Sequence, residues 1–307
     1  MNKKYELVKE DSIEFNGRTL FRIRALKDFQ TIHGLTVKVG DLGGYVQNEN
    51  NLSQEGNCWV GGNAKVYNNA EVYDDACVYN NACVSGYAKV YGDAYVYGDA
   101  WVYDNARVYD DACVCSNAGV YGNAKVYDDA CVSDNACVGD NACVSDNAFV
   151  HNNARVYNYA RVYGDACVYG NARVFGNAYV YGNARISDNA CVYGDARVFG
   201  NAWVYDKACV YGDARVYNDA WVYGDATVGN NADICNDTDY MYVKELGGIS
   251  ATTFYKCKDN QIGVTCGFFK GTLDEFISYL KSTHKDNKYK KEYLTVVEAV
   301  KIHFGLI

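Results

Sequence analysis

The chain has 307 residues, a formal net charge of −9 and no proline. That length allows a large buried core, the acidic balance argues against a nucleic-acid binder, and no apolar run of the roughly 18 residues a membrane span needs is present. The start, Met1-Asn2-Lys3-Lys4-Tyr5, has no apolar stretch behind its lysines, so no secretory leader is expected and the expected location is the cytoplasm.

Residues 1–57 read as a small N-terminal β cap. Tyr5-Glu6-Leu7-Val8 and Arg18-Thr19-Leu20-Phe21-Arg22-Ile23 flank Asn16-Gly17, a hairpin signal because both turn residues tolerate positive φ. Gly40-Asp41-Leu42-Gly43-Gly44-Tyr45-Val46 and Asn51-Leu52-Ser53 lead into the repeat. A cap is needed where a first coil would otherwise expose its apolar edge.

Residues 58–237 carry one six-residue phrase. Ala recurs at every sixth position from Ala64 to Ala232, 29 times, and Val follows two residues later except at Ile186 and Ile234. The next residue is Tyr in 18 of the 29 hexads, and the pair after it is drawn mostly from Gly, Asp and Asn. A short fixed period means one unit stacked on itself. Ala and Val two apart point to the same side of an extended strand, and the Gly/Asp/Asn pair is turn chemistry. Each hexad reads as a strand plus a corner. Three hexads close a triangular coil of 18 residues, with Ala and Val inside and the other side chains outside. Absence of proline suits a chain whose residues nearly all belong to a ladder or a fixed turn.

Read from Val, the phrase Val-Tyr-x-(Asp/Asn)-Ala-x resembles the hexapeptide repeat of left-handed parallel β-helices. The resemblance implies an all-β solenoid, a left-handed parallel β-helix of about ten 18-residue coils; the left hand comes from the resemblance alone. Tyr after Val is a departure from that family, where the position is usually small or acidic. The segments Arg18 to Leu26, Gly40 to Val46 and Asn51 to Ser53 resemble the head of an uncharacterised family common in phages and prophages, whose members carry labels such as polymer-forming protein or acyltransferase.

Sampling every 18 residues separates three faces. The second carries a basic column, Lys89, Arg107, Lys125, Arg161, Arg197 and Arg215, beside an aromatic column that includes Tyr91, Tyr109, Tyr127, Tyr163 and Tyr181. These residues could hold an anion that also offers a π-face. The alternative is that the cations pair with the acidic corners that follow, such as Asp74, Asp93, Asp110 and Asp128. The third face is almost uncharged and carries Tyr95, Phe149, Trp203 and Trp221, a candidate subunit or partner interface. By resemblance, hexapeptide β-helices often trimerise through one face.

Residues 238–307 read as a C-terminal α+β cap. Strands are expected at Tyr240–Val243, Thr252–Tyr255 and Gln261–Thr265. Thr272-Leu273-Asp274-Glu275 is a capping box that opens a helix with the stripe Leu273, Phe276, Ile277 and Leu280. After Lys285-Asp286-Asn287-Lys288 a second helix carries Leu294, Val297 and Val300.

Fourteen cysteines are present, nine of them, from Cys77 to Cys209, in the outward slot between Ala and Val. No CxxC or Cys/His spacing of zinc type occurs, so no metal site is expected, and the cysteines read as reduced thiols on the surface of a cytosolic protein. By resemblance, an acyltransferase would need a surface general base. His151 is the one histidine of the repeat; a base of ordinary pKa there could take a proton from an acceptor hydroxyl or amine. His33, His284 and His303 lie in the flanks without an evident Ser or Cys partner. The expectation is a non-enzymatic β-solenoid scaffold or binding protein of phage or prophage type, which sequesters a host protein or a small anionic ligand and self-associates, most simply as a trimer. The alternatives are a CoA-dependent acyltransferase using His151, with acyl-CoA as its one cofactor, and a polymer-forming structural protein.

Overall fold

A computed structural model describes residues 3–283 and 288–307, which fall into two compact units, 1–165 and 166–307. His284 and the connector Lys285 to Asn287 lie outside the described residues. The architecture is a parallel β-solenoid of about 11 coils with a small antiparallel β region and two C-terminal helices.

In the first unit the strands Tyr5–Phe15 and Arg18–Ala25 form an antiparallel hairpin, with Asn16 (φ 49°) and Gly17 (φ 71°) at the turn. The second strand pairs with Leu42–Val46, and that segment pairs in parallel with Lys65–Val66. Coil winding therefore begins before the hexads do. Val46 stands beside Val66 and Leu52 beside Val72, which supplies the turn beyond the ten expected. The head also covers outward slots. Cys83 is buried with Leu20, Tyr45 and Tyr67, and Cys77 is fully buried, so these two are not surface thiols.

Each hexad of the repeat contributes a two-residue ladder segment, such as Lys89–Val90 beside Arg107–Val108. Partners are 18 residues apart and Val stands on Val. The interior Ala and Val side chains, for example Ala106, Val108, Ala124 and Val126, are all 0% exposed. At the corners a residue with positive φ follows the Tyr slot, and at many of them the Ala amide closes the turn onto the carbonyl three residues back, as from Ala106 to Tyr103 at 3.3 Å. The αL conformation costs an ordinary L-residue about 1–2 kcal/mol and Gly, Asn and Asp much less, which explains the corner composition.

Corner side chains form ladders of their own. Asp74 accepts from the Gly92 amide at 3.3 Å, Asp140 from Asn158 at 3.0 Å and Asp146 from Gly164 at 2.8 Å. Asn117 donates to Asn135 and Asn135 to Asn153. Each such bond ties one coil to the next, and those from Gly92, Asn158 and Gly164 also satisfy backbone amides that the corner leaves outside the main ladder.

The second unit repeats this winding through Ala166 to Ile234, again with Val on Val, as Val192 on Val210 and Val204 on Val222. A four-stranded antiparallel sheet follows: Tyr240–Leu246, Ile249–Lys256, Ile262–Cys266 and Phe269–Thr272. It joins the last coil through the Ala232–Cys257 bridge and a bond from the Thr227 amide to Thr253 Oγ1 at 2.9 Å. Helices α1 (Leu273–Thr283) and α2 (Lys288–His303) pack against this sheet. The capping box forms as expected: Thr272 N donates to Glu275 Oε2 at 2.8 Å and Glu275 N to Thr272 Oγ1 at 3.3 Å. On α2 the buried residues are Tyr293, Val297 and Val300, with Leu294 at the edge of the core. The hydroxyl of Tyr293 donates to the Leu246 carbonyl at 2.9 Å, a bond that helical spacing alone does not show.

Candidate functional site

The second face of the first unit shows what the tyrosine column does. Tyr73, Tyr91, Tyr109 and Tyr127 stack in sequence at 4.9, 4.9 and 5.0 Å, with ring planes within 3° of parallel. The spacing follows from the separation of about 4.8 Å between adjacent strands. Both faces of Tyr91 and Tyr109 are thus occupied by other tyrosines of the chain, and only ring edges and hydroxyls meet solvent. In the second unit Tyr181, Phe199 and Tyr217 stack at 4.9 and 5.1 Å.

Among the described residues no ion pair joins Lys89, Arg107 or Lys125 to an acidic corner. Lys89 pairs with Glu71 at 2.9 Å, its own register neighbour. Arg107 and Lys125 are register partners, both exposed, and make no ion pair among the described residues. Of the corner aspartates here, Asp74 accepts from the Gly92 amide and Asp128 from the Asp146 amide, both at 3.3 Å. Arg161 is exposed, Tyr163 is half-buried, Arg197 lies over the Tyr179 ring at 5.7 Å, and Arg215 is exposed.

On the third face, Tyr95 is covered by its own chain. His33 stacks on it at 4.4 Å, Tyr97 leans on it at 4.4 Å, and His33 Nε2 is 2.9 Å from the Asp93 carbonyl. Phe149 is 36% exposed and stacks on His151 at 4.2 Å. His151 Nδ1 stands 3.9 Å from Asp134 Oδ2. Partial burial pulls the imidazole below its ordinary pKa, and Asp134 opposes that pull. In the second unit Trp203 donates to Ser187 Oγ at 3.1 Å and meets Trp221 edge-on at 5.8 Å, with Trp221 45% exposed. His303 is bound to the Thr238 carbonyl at 3.0 Å.

The first face holds a feature that the column reading missed. Gly119 stands in register between Trp101 and Cys137. A Cβ placed there would meet only the Cys137 sulfur, at 3.8 Å, so the outward slot is open. The result is a recess of about 540 Å³ whose lining includes Trp101, Tyr103, Asp104, Asn117 and Gly119. Trp101 is 42% exposed at its wall. The signal in the sequence was the one glycine in a column that otherwise carries Lys, Arg, Trp, Cys and Thr.

A second missed feature is a group of sulfurs. Cys113, Cys115 and Cys131 present three Sγ atoms within 4.8 Å of one another. Spacing rules for zinc overlook it because its members come from adjacent coils.

A family model described as YdcK beta solenoid repeat matches residues 166–182, 190–206 and 208–224. The last two matched windows begin one coil apart, which agrees with the winding observed there. The chain matches no curated protein. No helix among the described residues is long and apolar enough to cross a membrane.

Proposed function

We propose that this protein is a non-catalytic β-solenoid scaffold that binds a small planar ligand in the recess on its first face. The observation that carries this reading is the exposed Trp101 ring beside the slot that Gly119 leaves open. A flat heterocycle would stack on the indole and exchange hydrogen bonds with the Asp104 and Asn117 side chains at the rim. The Asp104 carboxylate favours an uncharged or cationic ring over an anionic one. The resemblance of the head to a phage and prophage family supports a scaffold of that origin. Self-association, with a trimer as the expected state, belongs to the same reading through the exposed Phe149 and Trp221 rings; light scattering of the purified chain measures it.

The test uses adenine, indole and lumichrome as uncharged planar probes, with calorimetry on the full chain. At least one should bind saturably. Gly119→Leu should abolish binding, and Trp101→Ala should weaken it by about 5- to 150-fold, since one ring stack is worth about 1–3 kcal/mol. Leu at 119 is compatible with the fold, because equivalent outward slots accept Trp101, Phe149 and Tyr179. Binding that survives Gly119→Leu, or none at all, rejects the recess. Acyl-CoA turnover that is lost in His151→Ala would replace a scaffold by an enzyme.

A second reading rests on Arg107 and Lys125, adjacent exposed cations with no ion-pair partner among the described residues. They would hold a small anion, with tyrosine hydroxyls beside it rather than ring faces. Pyrophosphate binding that disappears in Arg107→Gln/Lys125→Gln supports it, and unchanged binding removes it.

A further inference from the structure

Strand alternation and coil stacking together build the sulfur group. Cys113 and Cys115 flank the inward Val114, so both side chains point outward. Cys131 is the register partner of Cys113 one coil further on. Cys115 occupies the slot usually held by Tyr and is 7% exposed, while Cys113 and Cys131 are half-buried. Its register successor is Ser133, a small residue that leaves the sulfurs uncrowded on that side. The Tyr97 ring, one coil before Cys115 in the same slot, rests on Tyr95 at 4.4 Å.

We propose that Cys113, Cys115 and Cys131 form a trigonal thiolate site for a soft monovalent metal ion, Cu(I). The donor set decides the class of metal. All three donors are sulfur, and soft thiolates select Cu(I), zinc or iron–sulfur centres over hard cations. Structural zinc sites are closed by four ligands, and only three donors converge here among the described residues. Three sulfurs bound to one ion at about 2.3 Å would stand roughly 4 Å apart. The observed spacing, within 4.8 Å, reaches that by side-chain rotation without moving the ladder. The partly buried position slows access of oxidants.

The experiment titrates the full reduced chain with Cu(I) under anaerobic conditions against bicinchoninate, and records X-ray absorption at the copper edge. The tightest equivalent should show three sulfur neighbours at about 2.3 Å. Cys115→Ser and Cys131→Ala should each weaken it by at least the roughly 100-fold that loss of outer support alone can cost. Cys143→Ser, on another face, should leave it unchanged. Serine stands at the slot of Cys115 in other hexads, Ser85, Ser133, Ser145 and Ser187, so the variant is compatible with the coil, and circular dichroism checks that it folds. The proposal is overturned if Cys113→Ala/Cys115→Ser/Cys131→Ala keeps the tight equivalent, if nitrogen or oxygen donors appear, or if Zn(II) is taken in preference with a four-coordinate shell. A Cys113–Cys131 disulfide in protein prepared without air also overturns it.

Discussion

The hexad coils and the C-terminal region from Tyr240 to His303 hide apolar surface by opposite means. Inside the coils the side chains are Ala and Val with rare Ile, each fully buried, and every coil rests on its immediate neighbours. In the C-terminal region Phe254 of the sheet meets Phe276 and Leu280 of α1 and Tyr293, Val297 and Val300 of α2 in one cluster. The first core is shallow and repetitive, so damage should stay local. The second is one cooperative unit, so damage should spread through it.

The largest expected effect is at Phe276. Phe276→Ala should cost about 3–5 kcal/mol and raise amide hydrogen exchange across residues 240–303 while exchange at 89–126 stays as it was. Val126→Ala should cost roughly 1.5–2.5 kcal/mol, with faster exchange confined to the coils beside it. If Val126→Ala loosened the whole chain at once, the contrast between local and cooperative cores would collapse.

The outer aromatic columns sharpen the same comparison. Tyr109 stacks on two neighbours, and an aromatic pair is worth about 0.5–1.5 kcal/mol beyond its buried area. Tyr109→Ala should therefore cost about 1–2 kcal/mol in thermal or denaturant unfolding, whereas Tyr87→Ala, an exposed corner residue, should cost far less. Equal losses at both positions would mean that the stack adds nothing.

Titration of these rings gives a pH signature. Burial first, and then the neighbouring Tyr91, pushes the phenols of Tyr73 and Tyr109 up to about 12, above the value of about 10 for an unfolded tyrosine. The folded chain then holds protons that the unfolded chain has already released. This stabilisation is complete below pH of about 10 and is lost as pH rises toward 12. Ultraviolet titration should show tyrosinate forming late, and unfolding by denaturant should become easier over that range. The smallest effect is expected at His151, where NMR titration should place the midpoint below 6.5 because burial outweighs Asp134. A midpoint above that value would show the carboxylate to be the stronger influence.

Much of the fold was legible because its causes are local. A six-residue period with two small apolar positions permits only a side chain that fits the inside of a narrow coil, and Gly, Asp and Asn at the corners are the residues that accept positive φ. The capping box of α1 and the turn at Asn16-Gly17 were readable for the same reason. The added first coil was not, since Tyr45, Val46 and Leu52 lie outside the period and enter the ladder only through pairing with Lys65, Val66 and Val72. The candidate sites divide similarly. The columns could be counted, but not that the tyrosines of the second face would spend their faces on one another, or that His33 would cover Tyr95.

By itself the sequence determined that residues 18 apart become neighbours, because strand alternation and the corner chemistry are steric properties of single hexads. Only the tertiary structure decided which outward side chains converge, which lie covered and which slots stand open. The sulfurs of Cys113, Cys115 and Cys131, the recess at Gly119 and the burial of Cys77 beneath the head each depend on side-chain direction and on segments from other coils. Repetition fixes the scaffold, whereas the exceptions to it make surfaces whose character emerges only when neighbouring coils are placed together.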